Sequence, residues 1–253
     1  MYLPLHNVSE KKYFLRIPIK LCFYAVSAPL FAFITCIVLT IYKDFESANK
    51  THCNVPNIFP SISASIGNFE PQSTIWKTAI YFHSPLRFYM VYLRWKFYRK
   101  IIRPELDIIV NLAVFLNIIE NICLVGLTFW TSSLNYSYHE KCFKLFIGTS
   151  TFYMFFVCIL ITKYRRRPAI TSREKQSVKQ KWRWFIINIT MFGLAAFCFL
   201  RHNKYCEPYV YSVFGLSEYL VVFSNIAFHS TTVLDVEVDF IYLTSIGLTT
   251  GII

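Results

Sequence analysis

The stretch LCFYAVSAPLFAFITCIVLTIY (residues 21–42) contains no charged side chain. A bilayer core of roughly 30 Å is crossed by a helix of about 20 apolar residues, so this stretch is long enough to span a membrane. In lipid the backbone must satisfy its own hydrogen bonds, which favours a helix over an isolated strand. The sequence therefore predicts a transmembrane helix here. The charged segment before it is long, so we interpret the stretch as a signal anchor and not as a cleaved signal peptide.

Five further stretches predict transmembrane helices by the same argument. They cover residues 74–95, 108–130, 143–162, 184–200 and 209–230, and the stretch 74–95 is the most polar of them. We therefore predict an all-α, polytopic membrane protein. Residues 1–253 are expected to form a single domain, a bundle of about six transmembrane helices.

The composition agrees with a membrane protein and excludes an ordinary soluble domain. Of the 253 residues, 55% are hydrophobic and 16% are charged, and the mean hydropathy is +0.42. Soluble domains carry roughly 25% charged residues. The formal net charge is +12. Basic segments between the predicted spans account for nearly all of this charge, so no nucleic-acid partner is expected.

Basic residues lie on alternate sides of the predicted spans. They occur in the N-terminal segment and in two loops: Lys11, Lys12, Arg16 and Lys20; Arg94, Lys96, Arg99, Lys100 and Arg103; and Lys163, Arg165, Arg166, Arg167, Arg173, Lys175, Lys179, Lys181 and Arg183. Cytosolic segments of membrane proteins are enriched in Lys and Arg, so we expect these three segments in the cytosol. The pattern then places both the N-terminus and the C-terminus in the cytosol.

Ionisable and amide side chains occur inside the predicted spans, where they are costly and usually face the bundle interior. They include Lys77, His83 and Arg87 in the second span, Asn111, Asn117, Glu120 and Asn121 in the third, and Glu218, Asn225 and His229 in the sixth. Because a lone buried charge is unstable, we expect Arg87 to pair with Glu120 or Glu218. Two interpretations stay open: an ion pair that joins helices, or a polar pocket for a lipid headgroup or for proton transfer.

A second group of polar residues is predicted in the loops on the lumenal side of the membrane, opposite the cytosolic side. Its members are His52, His139, Arg201, His202, Asn203 and Glu207. Histidine is a common general base near neutral pH. The spacing His202-x4-Glu207 is similar to the His-x4-Asp of some acyltransferases, although ordinary loop residues at a helix end would give the same pattern. The GxSxG, P-loop, HExxH and GxGxxG motifs are absent, so the enzyme classes that they mark are not indicated.

Three cysteines, Cys53, Cys142 and Cys206, fall in predicted lumenal loops, and the lumen is oxidising. We predict a disulfide between Cys53 and Cys206 that ties the long first loop to the last one, with three free thiols as the alternative. No CxxC pair occurs, and no metal site is predicted. Asn49 and Asn135 begin sequons in the same loops and are candidate glycosylation sites.

Several of these residues lie in motifs that are similar to those of a known family. The motifs are Thr51-His52-Cys53-Asn54-Val55-Pro56-Asn57, His83-Ser84-Pro85 with Arg87, Glu120-Asn121, His139-Glu140, RHNKYCE (residues 201–207), Glu218-Tyr219 and NIAFH (residues 225–229). In this order they resemble the post-GPI-attachment-to-proteins factor two family, part of the wider Frag/DRAM/Sfk membrane family. The tail beyond Asp235 departs from the family pattern.

The resemblance implies a function in the lipid remodelling of GPI anchors. A family member is needed to put a fatty acid back on lyso-GPI-anchored proteins, which keeps them stably at the cell surface. The resemblance implies a multi-pass protein of the Golgi membrane, with the endoplasmic reticulum membrane as a second location. The expected partners are membrane lipids, GPI-anchored proteins and a partner GPI-remodelling enzyme.

Two hypotheses from different classes remain. In the first, the chain is an acyltransferase: His202 or His52 is the general base, Glu207 orients it, and Arg201 binds the anchor phosphate. Acyl-CoA or a phospholipid would be the acyl donor, and no other cofactor is predicted. In the second, the chain binds lipid without catalysis and presents it to a separate acyltransferase. The candidates for contact with the lipid headgroup are Arg201, Asn203, His83, Arg87, Glu120, Asn121, His139, Glu218, Asn225 and His229.

Overall fold

The structure is a computed structural model that describes residues 13–169, 171–235, 240–244 and 247–251. These residues fall into two compact units. The larger unit, Ala25–Val236, is helical, and the smaller is formed by the described residues of Met1–Tyr24 and Glu237–Ile253. The basic residues Lys11 and Lys12 lie outside the described residues. That residues 1–253 act as a single domain stays a prediction.

The elements follow one another in a simple order. They are strand β1 (Tyr13–Pro18), helices α1 (Ile19–Lys43), α2 (Phe45–Asn49), α3 (Ile62–Gly67) and α4 (Gln72–Ile101), a short 3-10 helix (Pro104–Leu106), helices α5 (Asp107–Phe129), α6 (Tyr136–Lys163), α7 (Ser172–Tyr205), α8 (Val210–Ser230) and α9 (Thr232–Asp235), and strands β2 (Phe240–Thr244) and β3 (Gly247–Gly251). The strands form an antiparallel sheet in the order β1-β2-β3. This sheet was not predicted, because only helices were expected.

Each of the six predicted spans corresponds to one long helix. Four segments, Pro104–Phe129, Tyr136–Lys163, Ser172–Tyr205 and Val210–Asp235, are long and apolar enough to cross a membrane. The described part of α1 that is apolar, Ser27–Lys43, is shorter. Helix α4 has 30 residues but carries several charged side chains. The prediction of a helical, multi-pass membrane protein is confirmed, whereas six crossings and cytosolic termini stay predictions.

The helical unit has an apolar outer face and an apolar core. Large apolar side chains such as Ile108, Phe115 and Leu200 are exposed, as expected for a surface that faces lipid. Inside, one core cluster includes Tyr98 of α4, Tyr153 of α6 and Phe228 of α8. Helix α7 packs against α8, and α5 packs against both α4 and α6.

Two basic residues that were assigned to cytosolic loops lie instead inside buried helical segments. Arg94 is within α4 and is 3% exposed, and Lys181 is within α7 and is 1% exposed. The Lys181 ammonium is 2.6 Å from a carboxylate oxygen of Asp235 and 2.6 Å from the hydroxyl of Ser177. The assignment of these two residues as loop charges was wrong. Lys181 precedes the predicted stretch 184–200, but α7 begins at Ser172. Arg94 lies at the end of the predicted stretch 74–95, and α4 continues to Ile101.

The segment between α2 and α4 folds over one end of the helical unit. The Ile58 backbone N–H donates to the Ser212 hydroxyl at 2.7 Å, and the Tyr219 hydroxyl donates to the Pro60 carbonyl at 2.6 Å. Gly215 permits this approach, since a Cβ built there would lie 2.8 Å from the Pro60 carbonyl oxygen. The segment also carries Cys53. We call this end of the unit, residues 50–71, 130–139 and 201–212, the disulfide end.

Candidate functional site

A buried polar cluster surrounds the carboxylate of Glu120, which is 0% exposed. The Oε1 oxygen accepts from a terminal guanidinium nitrogen of Arg87 at 2.6 Å, from Asn225 Nδ2 at 3.0 Å and from His229 Nε2 at 2.8 Å. The Oε2 oxygen accepts from Asn117 Nδ2 at 2.7 Å. The predicted pairing of Arg87 with Glu120, within a cluster from the second, third and sixth spans, is confirmed.

The cluster extends through Arg94, which the sequence analysis missed. Its guanidinium donates to Asn117 Oδ1 at 2.9 Å, to the Thr232 hydroxyl at 2.8 Å and to the His229 carbonyl at 3.3 Å. The described cluster therefore combines two guanidinium groups with one carboxylate. A signal for Arg94 was present, since it lies seven residues after Arg87 and so shares its helix face.

Helix periodicity explains why α5 presents so many polar groups at one place. Asn117, Glu120 and Asn121 are spaced three and four residues apart and therefore project from one face. That face is turned toward α4 and α8, since Asn117 and Glu120 contact side chains of both helices. Ser150 of α6, which was not predicted, completes the group by accepting from Asn225 Nδ2 at 2.7 Å.

Several polar atoms beside this cluster have no hydrogen-bond partner within the part of the chain that the structure describes. They are both side-chain polar atoms of Asn121, which is 2% exposed, and Nε of Arg87. Buried polar groups are normally satisfied, so such atoms mark the positions where a ligand group or an ordered water would bind. His83 is buried on the same helix as Arg87, four residues before it.

Glu218 does not join the cluster. Its Oε2 oxygen accepts from the Ile62 backbone N–H at 3.1 Å, which ties α8 to the start of α3 at the disulfide end. The alternative pairing of Arg87 with Glu218 is therefore wrong. The carboxylate has a structural contact of its own, because it satisfies one of the free N–H groups at the beginning of a helix.

The predicted pairing of His202 with Glu207 is also wrong. His202 is 0% exposed, and its Nε2 lies 3.1 Å from the Thr51 hydroxyl. Glu207 accepts two hydrogen bonds from the Arg201 guanidinium, which lower the pKa of the Glu207 carboxyl. The spacing of two residue types does not show which basic side chain lies nearer to the Glu207 carboxylate. At the end of α7 the planar guanidinium of Arg201 matches the carboxylate better than an imidazole does.

Other predicted residues of this end are more accessible. His52 is exposed and its ring meets the His202 ring edge-on, with 5.7 Å between ring centroids. Arg201 and Asn203 are exposed on the last turn of α7. A substrate can therefore reach Arg201, Asn203 and His52 directly, whereas His202 is covered by its neighbours.

Cys53 and Cys206 form a disulfide, with 5.2 Å between their Cα atoms. This is the predicted pairing, and Cys142 remains a free thiol. The bond joins the segment after α2 to the end of α7, across 153 residues of sequence. Because the two sulfurs are bonded to each other, they are not available as thiolate ligands for a metal beside His52.

His139 has a hydrogen-bond contact at each of its two ring nitrogens. Its Nδ1 lies 2.8 Å from the Trp130 carbonyl oxygen, and its Nε2 lies 3.0 Å from the hydroxyl of Ser63. His139 was predicted as a headgroup contact, and Ser63 was not predicted at all. Ser63 lies in the short helix α3 and gave no sequence signal, because its partner is 76 residues away in the chain.

The two candidate glycosylation sites differ in accessibility. Asn49 is 7% exposed, and its Nδ2, the atom that would carry a sugar, donates to the Phe45 carbonyl at 3.0 Å. This packing does not fit a glycan at Asn49, so the structure disagrees with that prediction. Asn135 is exposed and caps α6 by accepting from the Tyr138 backbone N–H at 3.2 Å.

Comparison with known proteins agrees with the motifs. The Frag1/DRAM/Sfk1/Cwh43P N-terminal domain family matches residues 19–237. The protein "Post-GPI attachment to proteins factor 2" of Drosophila melanogaster is 40% identical over 226 residues, which cover 89% of this chain and 88% of that protein. The chain belongs to this family. The described polar cluster and the disulfide end both lie within the matched residues.

Further relatives in the family have similar coverage. The Xenopus tropicalis protein "Acyltransferase PGAP2" is 40% identical over 208 residues, which cover 81% of this chain and 82% of that protein. The Caenorhabditis elegans "Post-GPI attachment to proteins factor 2" is 37% identical, over 91% of this chain and 90% of that protein. No solved structure matches the chain.

Proposed function

We propose that this chain takes part in the lipid remodelling of GPI anchors and is needed for the reacylation of lyso-GPI-anchored proteins. The observation that carries the proposal is its similarity, along most of its length, to relatives named as post-GPI attachment factors and to one named as an acyltransferase. Fatty acid would be returned to the anchor in the membrane itself. The proposed location is the Golgi membrane, with the endoplasmic reticulum membrane as the second candidate.

The disulfide end supports a role at the membrane surface. It lies where α5 ends and α6 begins, and where α7 ends and α8 begins, so it is at the end of four helices that are able to cross a membrane. The phosphate and glycerol of a lipid lie at this depth. Arg201 and His52 are exposed there. An exposed guanidinium binds phosphate well. To do so, Arg201 would release the Glu207 carboxylate and donate to the phosphate instead.

A second function in a different class has its own support. The unpartnered atoms of Asn121 and Arg87 suit a protein that binds a lipid headgroup in its interior and presents the lipid to a partner GPI-remodelling enzyme. The burial of His202 also counts against one of the two bases that were predicted for direct catalysis, although the other, His52, is exposed. Acyl-CoA or a phospholipid would be a substrate only in the catalytic version of the proposal.

The experiment is mass spectrometry of GPI-anchor lipid in cells that lack the endogenous protein and re-express this chain. We expect the wild type to restore two-chain anchors. Arg201→Ala should leave lyso-anchors, and Lys204→Ala is the matched control because both side chains are exposed on the last turn of α7. Both variants should keep the wild-type expression level, since exposed ion pairs contribute little to stability. If the wild type leaves only lyso-anchors, the proposed function is rejected.

The two classes are separated by purified protein in lipid nanodiscs. A catalytic protein transfers a labelled fatty acid to lyso-GPI without any other protein present. A presenting module binds lyso-GPI but transfers nothing until membranes from the same cells are added. This comparison uses the full chain, so it does not depend on the choice of site residues.

A further inference from the structure

The hydrogen bonds of His139 fix its tautomer. The Trp130 carbonyl oxygen is only an acceptor, so Nδ1 must carry a proton to donate across the 2.8 Å contact. In a neutral imidazole the other nitrogen then has a lone pair. Nε2, 3.0 Å from Ser63 Oγ, therefore accepts the proton of the serine hydroxyl.

This order of groups is the one that activates a serine nucleophile. A base within hydrogen-bond distance can remove the hydroxyl proton, and a third group holds the base in the productive tautomer and orientation. Here the third group is a carbonyl. Its hydrogen bond orients the imidazole in the way that a carboxylate does in better known triads, although it carries no full charge.

Helix caps hold the two turns that carry the serine and the histidine. The Ser61 hydroxyl caps α3 by accepting from the Ala64 N–H at 3.2 Å, which fixes the turn that carries Ser63. Asn135 caps α6, which fixes the turn that carries His139.

Accessibility distinguishes this pair from His202, one of the two predicted bases. Ser63 and His139 are both partly exposed, whereas His202 is fully buried. His139 lies in the first turn of α6 and Trp130 directly follows α5, so the pair is at the end of two membrane-crossing segments. The ester groups of membrane lipids lie at the same depth.

We propose that Ser63 is the nucleophile of an acyl-transfer site and that His139 is its general base and acid, an inference that rests on the proposed function. Ser63 Oγ attacks the carbonyl carbon of a fatty acyl ester or thioester, and its proton passes to His139 Nε2. The bond from the acyl carbon to the donor breaks, and the departing oxygen or sulfur takes the proton from His139. Ser63 then carries the fatty acid as an ester.

The second half of the proposed reaction transfers the fatty acid from Ser63 to the lyso-anchor and restores the free serine. The free glycerol hydroxyl of the lyso-anchor attacks the acyl carbon, and its proton passes to His139 Nε2. The ester bond to Ser63 breaks, and Oγ takes the proton back. No oxidant, metal or other co-reactant is required, and the only substrates are an acyl donor and a lipid alcohol.

The test traps the acyl-enzyme. Full-length purified protein in nanodiscs is given either alkyne-tagged palmitoyl-CoA or a phosphatidylcholine with the same tagged chain, without lyso-GPI, and its peptides are analysed by mass spectrometry. We expect a tagged acyl group on Ser63 from one of the two donors, which identifies the donor class. His139→Gln should slow the labelling by at least about a hundredfold. Ser133→Ala, which alters an exposed loop serine within hydrogen-bond distance of Thr131, should label like the wild type.

Outcomes in cells separate this inference from the proposed function. If the wild type and Ser63→Ala both restore two-chain anchors, the function stands and the nucleophile is rejected. If the wild type restores nothing, both are rejected. A Ser63→Ala protein that fails to accumulate is replaced by Ser63→Cys, which keeps a nucleophile in place. We expect Ser63→Cys to form a thioester that neutral hydroxylamine cleaves, and an unlabelled cysteine would reject the inference.

Discussion

Replacing Glu120 by glutamine removes the one carboxylate of the buried cluster while keeping the size of the side chain. Four donors point at this carboxylate, and two guanidinium groups remain nearby. Glutamine offers one acceptor oxygen and adds an N–H₂ group that opposes at least one existing donor. Removing one partner of a buried ion pair costs about 3–5 kcal/mol, because the other charge is left uncompensated. We expect Glu120→Gln to lose that much stability.

The loss is measurable as a shift in thermal unfolding. For a chain of this size 1 kcal/mol corresponds to roughly 2–4 °C, so we expect a decrease in Tm of about 6–20 °C. The assay follows a thiol-reactive fluorophore that labels the buried free cysteines Cys36, Cys123, Cys158 and Cys198 as the protein unfolds in detergent. Adding Arg87→Met to Glu120→Gln should recover about 1–3 kcal/mol, because the two charges are then removed together.

The matched control is Asp107→Asn, which breaks the pair with Arg99. That pair is 47% and 31% exposed, so its loss should cost about 0–1 kcal/mol. If Glu120→Gln costs no more than this control, the carboxylate does not compensate buried positive charge. If the double variant is no more stable than Glu120→Gln, the direct coupling to Arg87 is refuted.

Three further predictions concern the disulfide end. Gly215→Ala places a Cβ 2.8 Å from the Pro60 carbonyl oxygen and should cost about 1–3 kcal/mol in the same thermal assay. Cys53→Ser leaves Cys206 without its partner and should cost about 2–5 kcal/mol, with the loss of the mobility difference between reducing and non-reducing gels. Asn135→Gln should remove the glycan from protein made in the secretory pathway, detected as a mobility that glycosidase no longer changes.

Each of these predictions has a control within the chain. Gly193→Ala meets nothing within 4 Å. Because alanine favours a helix interior over glycine, this control should keep or slightly raise the Tm. An equal loss at both glycines would contradict the steric argument. Cys142→Ser alters a free cysteine and should keep the difference in gel mobility. Asn49→Gln should leave the glycan in place, since Asn49 is buried. If Asn49→Gln removed the glycan, Asn49 would have to be exposed at the time of glycosylation, in contradiction to its burial in the folded chain.

Hydropathy predicted the helices, and charge compensation narrowed the partner of Arg87 to two carboxylates. A long apolar stretch has one stable form in lipid, and a buried guanidinium needs a carboxylate at its own depth, so Arg87 could be matched with Glu120 or Glu218. The structure selects Glu120. Arg94 shares the helix face of Arg87, but charge compensation did not identify its partners. They are the Asn117 amide, the Thr232 hydroxyl and the His229 carbonyl, and none of these carries a charge.

The partners of residues at the disulfide end could not be predicted from the sequence. His202 and Glu207 are close in the chain, yet Glu207 bonds Arg201 and His202 bonds Thr51, because the segment after α2 folds back over the end of α7. Ser63 meets His139 for the same reason. Such pairings depend on the path of the loop, which neither hydrophobic periodicity nor residue spacing describes.

The Cys53–Cys206 bond also sets an order of events during synthesis. Cys206 is made 153 residues after Cys53. At about 5–20 residues per second, the ribosome needs roughly 8–30 s to cover that distance. Cys53 therefore waits as a reduced thiol while α4, α5, α6 and α7 are produced, and a nascent chain that stops before Cys206 keeps that thiol reactive. Oxidation of this pair reports that the first five long helices have been completed.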